Sequence, residues 1–185
     1  MSLYFECSVR YDKIQQDGKI KKVTERYLLD ALSFTEAEAR IMEAVKPYIS
    51  GDFSIPAIKK TKIAEVFTTS QVALALGKSK SDVEKALQRH SAEELGKATS
   101  ADKLFEPQDS RWFLVKVAFI SYDEKTAAEK RSVSQILVES TDIAAARERF
   151  NEGMKGTMAD YDIESIADTK YMDVFTFSDF NSNDR

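Results

Sequence analysis

Six lysines fall in two short runs, Lys19, Lys21 and Lys22 in DGKIKKV and Lys59, Lys60 and Lys62 in AIKKTKI. Ammonium groups at this density attract phosphates and carboxylates. If the two runs lie on neighbouring strands, the six line one stripe suited to an anionic partner, either nucleic acid or an acidic protein. The competing reading is a solvated strand face, where lysine also guards an edge against aggregation. The chain's net charge of −4 weighs against nucleic acid, as does the lack of aromatics interleaved with the lysines.

Other residue types offer less. Cys7 is the only cysteine and His90 the only histidine. This excludes internal disulfides and Cys- or His-rich metal clusters, and leaves a single histidine around which any nucleophilic relay must be built. Cys7 falls on an alternating apolar stripe and reads as a small buried hydrophobe. His90 has no carboxylate pattern near it and reads as a surface or capping residue. Asp160, Asp162, Glu164 and Asp168 interleave with Ile163 and Ile166 in a strand pattern, without the tight oxygen spacing and glycine turn of a calcium loop. Gly153-Met154-Lys155-Gly156 offers two glycines at a turn, which is weak evidence for an anion cradle. No catalytic residue, cofactor or metal is assigned.

The elements that must position these residues come from a repeat. Asp52–Phe67 (DFSIPAIKKTKIAEVF) slides without gaps over Asp160–Phe175 (DYDIESIADTKYMDVF), 108 residues on, with seven of sixteen positions identical. Chance supplies about one. The same offset pairs Tyr4 with Trp112, Phe5 with Phe113, Val9 with Val117 and Tyr11 with Phe119. Thr35 best matches Thr141, an offset of 106. A self-similarity at fixed distance is the mark of duplicated architecture.

In the first copy YFECSVRY alternates, with Phe5, Cys7, Val9 and Tyr11 on one face, as a half-buried strand does. Asp17-Gly18 is the hairpin turn, and KIKKVTERYLLDAL the return strand, with Val23, Glu25, Tyr27, Leu29 and Ala31 on one side. Thr35-Glu36-Ala37-Glu38 is a capping box opening a helix whose buried stripe is Ala37, Ile41, Ala44, Val45 and Tyr48. Pro47 and Gly51 mark its exit. Phe53 to Phe67 is one further extended segment, with Pro56 implying an edge or bulge. The second copy repeats the plan: WFLVKVAFISY, a looser turn, RSVSQILVES, a helix capped at Thr141-Asp142 carrying Ile143, Ala146, Phe150 and Met154, then a last strand.

The expected fold is therefore α+β, a tandem duplication of a β-β-α-β unit with approximate two-fold symmetry and both helices packed on antiparallel sheet. The expected divisions are 1–67, a helical spacer 68–111, 112–176, and a polar tail 177–185. Charge is uneven: 1–67 carries +1, 68–111 zero and 112–185 −5. In the spacer Ala73, Gly77 and Val83 stand at helix-turn-helix spacing, although Lys78 occupies a position where an apolar residue is usual. The plainer reading is a helical hairpin bridging the copies. No apolar run reaches the roughly 20 residues of a membrane helix, the N-terminus lacks an export layout, and a reducing cytoplasm is expected.

FECSVRYDK, KKVTERYLLDALSFTEAEARI, PYISGDF, GMKGTMADY and MDVF together resemble an uncharacterised family, domain of unknown function four-four-nine-four, met mostly in gut Bacteroidetes and their phages and mobile elements. The resemblance covers roughly 4–67 and 112–175; the spacer is longer than it implies. It brings no activity, cofactor or catalytic residues. The functional expectation is a non-enzymatic binding module with a protein or nucleic-acid partner. The alternatives are a DNA-binding accessory acting through the spacer, and an enzyme with a cleft between the copies. The sequence leaves the oligomeric state open.

Overall fold

The computed structural model describes residues 3–68, 110–122 and 128–176. Among the described residues, eight strands and two helices follow in the order β1 (Leu3–Ile14), β2 (Ile20–Ala31), α1 (Phe34–Val45), β3 (Phe53–Lys60), β4 (Ile63–Phe67), β5 (Arg111–Tyr122), β6 (Glu129–Ser140), α2 (Ile143–Gly153), β7 (Asp160–Asp168) and β8 (Tyr171–Phe175). They form two four-stranded sheets, β3-β1-β2-β8 and β4-β6-β5-β7. The chain divides into two compact units, Met1–Ala64 with Lys170–Arg185, and Glu65–Thr169.

The extended segment expected to run unbroken from Phe53 to Phe67 is two strands. Thr61 and Lys62 separate them, and Thr169 and Lys170 separate β7 from β8. Neither link holds the glycine or asparagine that favours the tight two-residue hairpin turns, and neither strand folds back beside its predecessor. Instead β4 joins the sheet of β5, β6 and β7, and β8 joins that of β1, β2 and β3. Thr61 donates through both its backbone N–H and its hydroxyl to the Tyr4 carbonyl, at 2.9 Å each. Thr169 does the same to the Trp112 carbonyl, at 2.9 and 2.6 Å. The repeated Thr-Lys pair thus marks the point where the chain leaves one sheet for the other.

The β8 strand runs parallel to β2, so the first sheet is mixed rather than antiparallel. The pairs β1–β2, β1–β3, β5–β6 and β5–β7 are antiparallel. Pro56 lies on the edge strand β3, where the register to β1 jumps between Ser8↔Ala57 and Arg10↔Ser54. A proline there interrupts no central ladder. β7 jumps at the equivalent place, between Lys116↔Ser165 and Val117↔Ile163.

In the first unit Phe5, Cys7, Val9, Tyr27, Leu29 and Ala31 pack against Ala37, Ile41, Val45 and Ile49. In the second, Phe67 from β4 packs with Val115, Val117, Ile136, Val138, Phe150 and Met154. Each fully buried large side chain contributes about 1.5–3 kcal/mol. Several helix details differ from expectation. Ser33, not Thr35, caps α1, accepting from Glu36 N–H while Glu36 reaches back to Leu32 N–H. Asp142 caps α2 by accepting from Ala145 N–H, so the caps stand 109 residues apart rather than 106. Tyr48 is exposed and Ile49 takes the buried place, because the helix ends at Val45 and a turn follows. Ile143 is likewise exposed, being the first helical residue.

Candidate functional site

Glu25 lies on the helix-covered face of β2 among Val23, Tyr27 and Leu29, with only 14% of its side chain exposed. A carboxylate there must be solvated by the protein. Tyr11 Oη donates to Glu25 Oε2 at 2.9 Å, Tyr27 Oη to the same oxygen at 3.0 Å, and Lys13 Nζ to Oε1 at 3.2 Å. Burial alone pushes the carboxyl up, but the three donors outweigh it and hold Glu25 below the ordinary value. Burial and the adjacent carboxylate push both phenols the other way. The Tyr27 ring stacks on Phe175 at 5.8 Å. On the opposite face Tyr171 Oη donates to Glu6 Oε2 at 3.1 Å, and burial, then the Glu6 charge, raises the Tyr171 phenol.

By strand register the positions of Tyr11, Lys13, Glu25 and Tyr27 correspond in the second unit to Phe119, Ser121, Ser134 and Ile136. Where the first unit holds a charged hydrogen-bonded network, the second holds apolar and small hydroxyl side chains. Sequence reading placed Glu25 on the apolar side of its strand without drawing a consequence. A lone carboxylate inside an apolar stripe was the available signal.

This network sits at the root of a projecting ribbon. β3 stops pairing with β1 at Tyr11, and β8 reaches β2 no earlier than Arg26. Residues 12–14 and 20–24 therefore pair only with β1 and β2 themselves. The turn closes through Gln15 N–H to the Lys19 carbonyl at 2.8 Å, and Gly18 takes the left-handed conformation at φ 77. Lys13 and Lys21 face each other across the ribbon, as do Asp12 and Lys22 and, at the tip, Ile14 and Ile20. Lys19 pairs with Asp17 at 3.3 Å.

The six candidate lysines are all exposed, but β1 lies between the strands that carry them. Lys21 and Lys22 stand opposite Lys13 and Asp12, whereas Lys59 and Lys60 stand opposite Glu6 and Phe5. Seven residues of strand separate the groups, about 23 Å. Lys62 follows the exchange point. The structure gathers Lys19, Lys21 and Lys22 and adds Lys13; it does not bring Lys59, Lys60 and Lys62 to them.

Cys7 is fully buried, its thiol pushed up to about 12 by burial and then by the Glu6 charge, which leaves a packing role. Among the described residues no group of three or more His, Cys, Asp and Glu is arranged to hold a metal. At the α2 exit Lys155 N–H and Thr157 N–H bond to the Glu152 and Met154 carbonyls, so those amides are already engaged. His90 and the helix-turn-helix spacing lie outside the described residues.

The chain matches the family described as Domain of unknown function (DUF4494) over residues 3–74 and 80–177. It belongs to that family. The DUF4494 match takes in residues 68–111 except for 75–79. No curated protein matches the DUF4494 chain, and no helix among the described residues is long and apolar enough to cross a membrane.

Glu25→Gln is expected to cost about 1–2 kcal/mol at neutral pH, through loss of charge-assisted hydrogen bonds. Because the folded carboxyl titrates below its ordinary value of 4.5, its contribution is complete above that value and is lost as pH falls through the folded one. Denaturant melts of wild type and variant should therefore converge across that acidic window.

Proposed function

We propose that this protein is a non-enzymatic binding module, an internally duplicated fold in which one unit has kept a plain apolar frame and the other has specialised. The observation that carries this reading is the state of the Glu25 network. Three donors hold the carboxylate charged while both phenols keep their protons. A general acid or base works best with a pKa near the operating pH, and these groups are driven away from it in both directions. What the network does is lock β1 to β2 at the root of the ribbon.

The duplication is supported by equivalent sheet orders, equivalent bulges and the doubled Thr-Lys exchange point. The anionic-partner reading of the lysines is supported at Lys19, Lys21 and Lys22, which share the ribbon. Carbon-detected NMR titration of Glu25 and tyrosine absorbance titration test the proposal. The expected Glu25 midpoint lies below 4.5, with Tyr11 and Tyr27 above the ordinary phenol value. A Glu25 midpoint near neutrality would overturn the non-enzymatic reading.

A further inference from the structure

The ribbon has features that the rest of the first sheet does not need. It carries Lys13, Lys19, Lys21 and Lys22 against Asp12 and Asp17, within a chain that is acidic overall. Arg10, at its base, is tied to Thr24 Oγ1 at 3.3 Å. Its tip presents Ile14 and Ile20, 73% and 69% exposed and paired across the strands, where they stabilise no core. Gln15 and Gln16 in the turn offer both donors and acceptors. Tyr11 to Ile14 adds about 10 Å of reach before the turn. At the corresponding ends of β5 and β6 in the second unit, Glu129 stands beside Lys130 and Arg131, and there Arg131 is held by Glu129 at 2.6 Å.

We propose that the β1–β2 ribbon is an arm that enters the major groove of double-stranded DNA, with its lysines on phosphates and Ile14, Ile20 and the turn glutamines towards the base edges. The proposal rests on the binding-module reading and names its partner. A two-stranded ribbon fits the B-form major groove, whose walls are two phosphate backbones. Strand alternation puts Lys21 on one face and Lys22 on the other, so cations meet both walls, while Lys13 stays on Glu25. A flat acidic protein surface would engage one face only. Single strands are disfavoured because the ribbon tip has no aromatic platform for stacking. The Glu25 network fixes the arm's root, which lowers the ordering cost of docking.

The test is fluorescence anisotropy of the full chain with a short mixed-sequence DNA duplex, the matching RNA duplex and heparin, between about 50 and 200 mM salt. The DNA duplex is expected to bind with a log–log salt slope of about −3, from about three phosphate contacts at Lys19, Lys21 and Lys22. The Lys21→Glu, Lys22→Glu double variant should lose at least about tenfold in affinity and flatten the slope by about two. Ile14→Ser with Ile20→Ser should weaken binding while keeping the slope. Lys46→Glu with Lys116→Glu, the same charge change on exposed positions away from the ribbon, should bind as wild type does. Absence of DNA binding, equal loss in both charge-reversal pairs, or binding to heparin or RNA alone would each overturn the arm. The Glu25 titration is independent of these outcomes, so failure of the arm and failure of the binding-module reading are distinguishable.

Discussion

A chain cut at a protease site engineered into residues 75–79 is expected to stay together through gel filtration without denaturant. Its two pieces are joined by more than the link that was cut. The N-terminal piece contributes β4 to the sheet built by β5, β6 and β7, and the C-terminal piece contributes β8 to the sheet built by β1, β2 and β3. Each strand is short, five residues, but each is anchored. β4 places Phe67 in the core with Phe150, and β8 places Phe175 against Tyr27. Separation would leave both sheets with an open edge and both cores lacking an aromatic. Burial of a phenylalanine is worth about 1.5–3 kcal/mol, and the ladder hydrogen bonds add about 1 kcal/mol each. Pieces that separate at micromolar concentration would show that the exchanged strands contribute little. In the cut protein Phe67→Ala with Phe175→Ala should promote separation.

The second large effect concerns Phe67 and Gly153. A Cβ at Gly153 would lie 2.7 and 2.8 Å from Cε2 and Cδ2 of the Phe67 ring, closer than carbon atoms approach. Gly153 ends α2, where alanine would ordinarily gain about 0.5–1 kcal/mol over glycine. Overpacking a buried ring costs about 1–3 kcal/mol, so the clash wins and Gly153→Ala is expected to destabilise by about 1–2 kcal/mol. Phe67→Ala removes the ring and should cost about 3–5 kcal/mol, lowering the melting midpoint by roughly 10 °C in a chain of this size. The pair should be non-additive, because residues in contact couple: Phe67→Leu with Gly153→Ala should be more stable than Gly153→Ala alone. Calorimetry or denaturant melts of the set decide it. Strict additivity would mean that the helix end and the ring do not meet as described.

Much of each unit was legible because face and period are local properties. The alternation in YFECSVRY gave the strand and its buried side. Pro56 announced an edge and a bulge, and Asp142 announced a cap. The partner of a strand is not a local property. IAEVF and YMDVF read as strands wherever they pair, and nothing in their alternation says that they change sheets. The lysine stripe failed for the same reason: strand face was readable, but β1 standing between β2 and β3 was not. The cap on α1 slipped by two residues because Ser33…Glu36 and Thr35…Glu38 both satisfy the capping pattern, and only the backbone chooses. Glu25 was readable in principle, since an isolated charge on an oily stripe requires donors from somewhere.

The reciprocal exchange also sets the order of events at the ribosome. β2 ends at Ala31, yet the strand that closes its outer edge begins at Tyr171. About 140 residues must be translated in between, roughly 10–30 s at ordinary elongation rates. Throughout that interval the nascent protein shows an open backbone ladder, the kind of surface that recruits stray strands. Completion then demands contacts between residues far apart along the polypeptide, which slows the last step. Completion of the first sheet therefore waits on the synthesis of its last strand, Tyr171–Phe175.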